Sequence, residues 1–288
     1  MKMIHMTEQN IDSLVTVTKA YYDGPADQIY RTIWGDNIHL GIPRDGQVDY
    51  DHIDAMEHTN EIIASFIKLT PDSTVLDLGC GYGSSARYLA LNYKCHVTGT
   101  NISEKELQVA SERAAEANLS NLLLFEYGDF HDLKYCDESF DVIWSQEAFL
   151  HGIDKNKILS ECYRVLAPGG ILAFTDILVR KDTPEEDRIR IYDRVKSPDM
   201  WDAPDYEAAL SDLGFAIKQS NDWSEHVASS YGWVRDRLKE NRTSLSSRVD
   251  TGTIDNTLNA LTFWVESANA NKIGWAFLIA EKPHDVHS

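Results

Sequence analysis

Between residues 74 and 179 the chain alternates short runs rich in β-branched residues with runs patterned as helices. Strands are predicted at Thr74–Leu78, Cys95–Thr100, Leu122–Tyr127, Phe140–Trp144 and Gly170–Asp176. Helices are predicted between them at Ser84–Leu91, Ser103–Asn118 and Asp154–Leu166. Parallel strands need crossover connections, which are usually helical, so this alternation predicts an α/β fold with a parallel sheet.

Two of these helices have recognisable ends. Ser103 precedes the second helix and Glu106 stands three residues later, which is a capping-box pattern. The run Pro168-Gly169-Gly170 is predicted to close the third helix, because it cannot continue a helix.

The two flanks differ from this core. Before it, helices are predicted at Ile11–Tyr22 and Tyr50–Leu69 around an irregular stretch, Asp23–Asp49. After it, the sequence predicts helices at Glu185–Lys196, Tyr206–Leu213, Glu225–Glu240 and Ile254–Ala270, and strands at Phe215–Ser220 and Ile273–Glu281. We therefore divide the chain into an N-terminal helical lid (1–70), an α/β core (71–180), and a helical insertion with a final strand pair of the same sheet (181–288).

The charge balance excludes some partners. With 27 Lys and Arg against 46 Asp and Glu, the net charge is −19, which argues against nucleic acid and would repel an anionic membrane. No apolar run is long enough to span a bilayer. Four scattered cysteines without a Cys-x-x-Cys pair predict reduced thiols and no metal site. Residues 1–10 show no secretion signal, so the cytoplasm is the expected location, and a homo-oligomer is left open.

The most specific local motif runs from Val75 to Ser84. An apolar strand ends in an acid, Asp77, and a turn with three alternate glycines (Gly79, Gly81 and Gly83) opens a helix. The alternatives are a structural turn or a dinucleotide loop, but dinucleotide loops usually have the spacing Gly-x-Gly-x-x-Gly. A carboxylate at position 77 would repel a pyrophosphate. It suits a cation that carries an ammonium and a sulfonium, as S-adenosylmethionine (AdoMet) does.

Polar residues also follow the next two strands. Asn101 stands about 20 residues on, where the ribose hydroxyls of a nucleoside would lie. Asp129, followed by Phe130, can accept a hydrogen bond from an adenine amino group, although it could equally cap a turn. The segments 137–143 and 165–170 complete the ordered set.

Over residues 60–180 this set resembles the class I AdoMet-dependent methyltransferases. The resemblance implies a Rossmann-like, seven-stranded sheet in which the last strand, Ile273–Glu281, inserts antiparallel. It implies cofactor contacts with the methionine moiety at Asp77, Gly79 and Gly81, with the ribose at Asn101, and with the adenine at Asp129 and Phe130. Many relatives carry an acid where this chain has Asn101, so a charge-assisted bond to the ribose is lost there.

The stretch from Tyr21 to Ile42 combines acids with large aromatic residues and has no long apolar run. It resembles the N-terminal region of the sarcosine/dimethylglycine N-methyltransferases of glycine betaine synthesis. The match continues at residues 145–151, 193–195 and 233–235, and so covers most of the chain. Asp36, where a second Gly is usual, and the segment 196–200 depart from the family pattern.

This second resemblance implies N-methylation of a small amino-acid substrate, sarcosine and/or dimethylglycine, to glycine betaine. Arg194 is the candidate clamp for the substrate carboxylate, because a guanidinium binds a carboxylate bidentately. Aromatic faces would stabilise the quaternary ammonium, and the candidates are Tyr22, Tyr30 and Trp34. Catalytic candidates follow the fourth strand: His151, which could take the amine proton, and Gln146 and Glu147. Each of these residues also has a purely structural alternative.

Two other functions compete with this hypothesis. The first is a sibling methyltransferase that acts on a phosphoethanolamine, a sugar hydroxyl or a prenyl-quinol ring. A phosphorylated acceptor would need converging Lys or Arg residues, and a quinol would need a broad apolar lid; neither is evident in the sequence. The second is a catalytically silent AdoMet-binding module, which the intact glycine loop and Asp129 disfavour.

Overall fold

The computed structural model describes residues 16, 29, 32–35, 37–46 and 51–284, and in this part of the chain seven strands form one sheet. They are β1 (Thr74–Leu78), β2 (His96–Asn101), β3 (Leu123–Tyr127), β4 (Phe140–Gln146), β5 (Leu166–Val179), β6 (Ala216–Asp222) and β7 (Ile273–Glu281). Their order in the sheet is β3-β2-β1-β4-β5-β7-β6. Apart from Thr16, the predicted helix Ile11–Tyr22 lies outside the described residues, and so does Tyr30.

The first five strands are parallel, as predicted. The helices α1 (His52–Ser65), α2 (Ser84–Tyr93), α3 (Glu104–Glu116) and α4 (Lys155–Val165) precede or connect them. Because the strands are parallel, their carboxyl ends meet at one edge of the sheet, where ligands bind in open α/β folds. The Ser103 side chain accepts a hydrogen bond from the N–H of Glu106, so the predicted cap of α3 is present.

The last strand confirms the seven-stranded mixed sheet. β7 has the predicted bounds, lies between β5 and β6, and pairs antiparallel with both. Eight of its nine residues are buried, which agrees with a central position in the sheet.

The helix before Pro168-Gly169-Gly170 ends as predicted, but the strand that follows begins four residues earlier than Gly170. Helix α4 ends at Val165, and β5 begins at the next residue, so the three residues lie within the strand. The pairing of β4 with β5 shifts there, from Phe140 opposite Leu166 to Val142 opposite Ile171. Gly169, with φ of 80°, therefore accommodates a bulge in the strand.

The second half of the chain adds four helices: α5 (Glu185–Val195), α6 (Ala203–Asp212), α7 (Val227–Leu245) and α8 (Thr251–Asn269). Helix α6 begins three residues earlier than predicted, because Asp202 and Asp205 form a capping box that the apolar pattern does not reveal. Within the described residues, no helix is both long and apolar enough to cross a bilayer.

One apolar cluster joins these helices to the N-terminal segment. Trp34 and Leu40 are buried in it together with Ile177 at the end of β5 and with side chains of α7, α8 and β7. Gly41 allows the close contact with α1, since a Cβ atom there would lie 2.7 Å from the Ala55 Cβ. Trp34 and the segment 37–42 are thereby packed near the carboxyl end of β5.

Candidate active site at the carboxyl ends of β1 and β4

A cleft of about 380 Å³, open to solvent on one side, lies at the carboxyl ends of β1 and β4. Three parts of the chain line it, namely the segment 37–39, the loop after β1 with the start of α2, and the end of β4: Asn37, Ile38, His39, Asp77, Gly79, Cys80, Gly81, Tyr82, Ser84, Ser85 and Gln146.

The three predicted glycines all have positive φ but differ in their surroundings. A Cβ atom on Gly79 would lie 2.4 Å from the Ala148 Cβ, and one on Gly83 would lie 2.6 Å from the Phe125 ring. These two glycines are required by contacts within the protein. A Cβ atom on Gly81 would meet nothing closer than Ile38, 4.0 Å away, so this glycine leaves room on the cleft side.

Asp77 lines the cleft with a buried carboxylate that is 3% exposed. Burial raises its pKa to about 7, and a hydrogen bond from the Ala86 N–H opposes this shift. Among the described residues its Oδ2 atom has no hydrogen-bond partner. A buried carboxylate oxygen without a partner is costly, and a cationic ligand would relieve that cost.

Gln146 lies at the end of β4 in a fixed orientation. Its Oε1 atom accepts hydrogen bonds from Ser85 Oγ, 2.6 Å away, and from Trp144 Nε1, 3.0 Å away. Its buried Nε2 atom has no partner in the described part of the chain. The cleft that contains the carboxylate of Asp77 therefore also presents an N–H donor.

The sequence-based reasoning missed two cleft residues, Asn37 and His39. Each has a buried polar atom with no partner among the residues described: Asn37 Oδ1 and His39 Nε2. Both lie in the irregular N-terminal stretch, which lacks the periodicity that reveals buried positions. The run Ile38-His39-Leu40-Gly41 within the matching N-terminal stretch was the available signal.

Glu147 was predicted as catalytic, and both of its carboxylate oxygens accept hydrogen bonds from other residues of the protein. Its Oε1 atom accepts from Thr175 Oγ1 (2.6 Å) and Trp275 Nε1 (2.8 Å), and its Oε2 atom accepts from the Leu40 N–H (3.0 Å). Burial raises its pKa to about 7, although these three hydrogen bonds oppose the shift. This geometry suits a residue that fixes the segment 37–42 against the sheet.

His151 ends a 3-10 turn, Phe149–His151, which follows β4. The turn is anchored by the Leu150 N–H, which donates to Asp176, and by the Ser197 hydroxyl, which donates to the Leu150 carbonyl. Burial lowers the pKa of His151 to about 4, and the nearby cation of Lys155 adds to the shift.

The residues predicted for the nucleoside lie farther along the same sheet edge, outside the cleft wall formed by the described residues. Asn101 Nδ2 donates to Glu106 Oε2 at 2.6 Å, so a buried carboxylate stands beside it. Asp129 Oδ1 accepts from both the N–H and the Nδ1 of His131. Phe130 packs edge-on against Phe149, with ring centroids 6.2 Å apart.

Trp34 and Arg194, predicted for the substrate, both contact Tyr231. The Trp34 ring meets Tyr231 edge-on with centroids 5.7 Å apart, and its N–H donates to His52. The Arg194 guanidinium lies 5.8 Å from the Tyr231 ring and 5.2 Å from the Trp264 ring. Tyr231 and Trp264 were not predicted as site residues, whereas the predicted Tyr22 and Tyr30 lie outside the described residues.

In the described part of the chain, no group of three or more His, Cys, Asp or Glu side chains is placed to hold a metal ion. The cysteines Cys80, Cys95, Cys136 and Cys162 are free thiols.

Residues 76–174 match the model of a methyltransferase domain. The sequence is 35% identical to a sarcosine/dimethylglycine N-methyltransferase of Halorhodospira halochloris, over 94% of this chain and 98% of the relative. A 27-O-demethylrifamycin SV methyltransferase of Amycolatopsis mediterranei is 29% identical over 91% of this chain and 95% of its own length. A solved structure from Galdieria sulphuraria, assigned as a sarcosine dimethylglycine methyltransferase, superposes with a TM-score of 0.84 at 28% identity, covering 90% of this chain and 99% of that one.

The sheet order and the matched domain define an AdoMet-dependent methyltransferase of class I fold. The chain belongs to the family of the sarcosine/dimethylglycine N-methyltransferases. The family resemblance inferred from the N-terminal stretch and the glycine loop is therefore confirmed.

The buried Glu147 predicts a pH-dependent stability difference. Its pKa is raised from 4.5 to about 7 in the folded chain, so its contribution to stability is fully present below about pH 4.5 and is lost as the pH rises through 7. The stability advantage of the wild type over Glu147→Gln should therefore shrink, by up to about 3 kcal/mol, between pH 5 and pH 8. Urea unfolding of both proteins at several pH values measures this difference.

Glu161→Gln is the matched control. Glu161 is also buried, but its hydrogen bonds with Arg164 lower its pKa, so its contribution is already complete above pH 4.5. The difference between wild type and this variant should stay flat from pH 5 to pH 8. If the Glu147→Gln difference is equally flat, or grows with pH, the Glu147 carboxyl does not have a raised pKa.

Proposed function

We propose that this protein transfers a methyl group from AdoMet to the nitrogen of sarcosine and/or dimethylglycine, and that glycine betaine is the end product. The family of the chain supports this proposal. The cofactor part of the proposal is carried by four cleft-lining residues, Asn37, His39, Asp77 and Gln146. Each has a buried polar atom that has no hydrogen-bond partner among the described residues.

This set fits the amino-acid end of AdoMet, which has an ammonium with three N–H donors and a carboxylate. Asp77 supplies a buried acceptor that can carry a full negative charge, and Gln146 supplies an N–H donor for the carboxylate. Gly81 leaves space for a ligand beside the backbone. When bound, AdoMet supplies an electrophilic methyl group on its sulfonium.

Asn101 and Asp129 would hold the ribose and the adenine. Asn101 donates a hydrogen bond to the buried carboxyl group of Glu106, so an acidic side chain stands next to the proposed ribose position even though residue 101 is not an acid. Asp129 uses one carboxylate oxygen for His131, and its other oxygen is the one that would accept from the adenine amino group. Phe130 would pack beside the adenine.

In an in-line methyl transfer, the main tasks of the protein are to align the acceptor nitrogen and to exclude water. The amine must lose its proton before it attacks, and His151 is our candidate for the group that receives it. Burial keeps the imidazole neutral at pH 7, so it has a lone pair for that proton. Its low pKa means that it would pass the proton on to water.

Arg194 would bind the substrate carboxylate. Its guanidinium lies 5.8 Å from the Tyr231 ring and 5.2 Å from the Trp264 ring, and such cation–π contacts help to fix its orientation. Through Tyr231 it is linked to Trp34, on the N-terminal segment that also carries the cleft residue His39. Trp34, together with Tyr22 and Tyr30, remains our candidate for the aromatic face that meets the methylated ammonium.

A hydroxyl acceptor is the second candidate. The relative named as a 27-O-demethylrifamycin SV methyltransferase matches almost the same length of this chain. Its identity is lower, 29% against 35%.

Radiolabelled AdoMet tests the acceptor directly. Purified protein is incubated with glycine, sarcosine, dimethylglycine, phosphoethanolamine or 27-O-demethylrifamycin SV, and the products are separated. We expect sarcosine or dimethylglycine to be methylated at least about tenfold faster than the other acceptors, which corresponds to about 1.4 kcal/mol in the barrier. Preferred labelling of phosphoethanolamine or of a hydroxyl, or of no acceptor, would contradict the proposal.

Arg194→Lys tests the carboxylate clamp. Lysine keeps the charge but loses the planar fork that binds a carboxylate with two parallel hydrogen bonds. We expect kcat/KM for dimethylglycine to fall at least about tenfold, roughly 1.4 kcal/mol, while AdoMet affinity is unchanged. The measurements are steady-state kinetics and calorimetric titration with AdoMet.

Arg190→Lys provides the control, because Arg190 is on the same helix and lies over the Phe263 ring at 3.6 Å but is exposed. This variant should retain wild-type kinetics. Wild-type kinetics in Arg194→Lys as well, or an equal loss of AdoMet binding, would mean that Arg194 is not the clamp.

A further inference from the structure

Among the described residues that line the cleft, His39 is the one histidine, and its side chain is almost completely buried, with an exposed fraction of 5%. Its Nδ1 atom lies 2.9 Å from the carbonyl oxygen of Leu40. A carbonyl oxygen only accepts hydrogen bonds, so Nδ1 must carry the ring proton. The Nε2 atom then has a lone pair and no proton, and no described residue donates to it.

The backbone around His39 is held in place from three sides. Glu147 accepts the Leu40 N–H, Ser230 Oγ accepts the Gly41 N–H at 3.2 Å, and the Ile42 N–H donates to Thr59 and Ala55. The ring position is therefore fixed by the sheet, α7 and α1 together. An acceptor atom with so little freedom is pre-organised for a ligand donor.

Burial lowers the pKa of His39 to about 4, so the ring is neutral at pH 7. A neutral ring of this tautomer offers only an acceptor on Nε2. It favours a ligand N–H, and it repels a carboxylate, whose oxygens also have only lone pairs.

We propose that Nε2 of His39 accepts a hydrogen bond from the α-ammonium of AdoMet, beside Oδ2 of Asp77. The proposal rests on the cofactor part of the proposed function and extends it, since no cofactor role follows for His39 from the glycine loop. With two acceptors taken by the ammonium, the ligand carboxylate is directed to the Nε2 donor of Gln146. A residue of the N-terminal segment thereby sets the orientation of the amino-acid end.

Two thioether ligands, compared with each other, measure how much the contact between His39 and the α-ammonium contributes to binding. S-adenosylhomocysteine has the amino-acid end, and 5′-methylthioadenosine has the same nucleoside and a neutral sulfur but lacks that end. Calorimetric titrations with both compounds, and with AdoMet, are compared for the wild type, His39→Leu and His39→Gln. Because both thioethers are titrated into the same protein sample, a partly misfolded variant changes the number of sites and not the ratio of the two affinities.

We expect His39→Leu to weaken binding of AdoMet and of S-adenosylhomocysteine at least about tenfold, because the leucine leaves an ammonium N–H without its acceptor. Binding of 5′-methylthioadenosine should change less than about twofold. His39→Gln, whose amide oxygen can accept in place of Nε2, should recover most of the lost affinity.

His58→Leu is the matched control. His58 makes the same kind of contact, from Nδ1 to the Ile42 carbonyl of the same segment at 3.0 Å, but it does not line the cleft. It should leave the affinities for both thioethers unchanged. Equal weakening of both thioethers in His39→Leu would mean that His39 only supports the segment, and no weakening of either would also overturn the proposal.

A rise in the KM of the methyl acceptor with unchanged AdoMet affinity would assign His39 to the acceptor and would overturn the proposal too. The titrations contain no acceptor, so their result does not depend on whether sarcosine or dimethylglycine is the substrate. Failure of the acceptor assay and failure of this test are therefore distinguishable.

Discussion

The buried carboxylate of Glu147 is the interaction on which the site depends. It joins Thr175 of β5, Trp275 of β7 and the backbone of Leu40, three parts of the chain that are far apart in sequence. Its φ is 49°, a conformation that is uncommon for a residue with a side chain and that costs free energy. The three hydrogen bonds offset this cost, and they fix the segment 37–42 so that it forms a wall of the cleft.

With this wall in place, several ionisable side chains in and around the site are buried away from water. Burial raises the pKa of Asp77 and of Glu147 and lowers that of His39 and of His151. Both kinds of shift favour neutral groups, so the surroundings are poor at stabilising charge unless a ligand brings the opposite charge. A cationic cofactor next to Asp77 meets this condition, and a site of this kind strengthens each hydrogen bond that it makes with the ligand.

The core could be predicted from the sequence because its signals are local. The pattern around Asp77 and Gly79 predicts a strand, a turn and a helix, and the run Ile273–Glu281 predicts a strand. All of these elements are present. The walls of the site were less predictable. His39 lies in a stretch without periodicity, and the neighbouring backbone is held by long-range contacts such as the hydrogen bond from the Leu40 N–H to Glu147, 107 residues later. The Pro168-Gly169-Gly170 run follows the end of its helix as predicted, but its place inside β5 was missed, because glycines serve a bulge as well as a turn and only strand pairing decides between them.

The central claim is that the cleft between β1, β4 and the segment 37–39 holds the amino-acid end of AdoMet. A crystal structure with S-adenosylhomocysteine tests it most directly. The account predicts that the α-amino nitrogen lies within about 3 Å of both Asp77 Oδ2 and His39 Nε2, the usual hydrogen-bond distance, with the ligand carboxylate near Gln146. A ligand whose adenine occupies this cleft, or whose carboxylate faces His39, would contradict it.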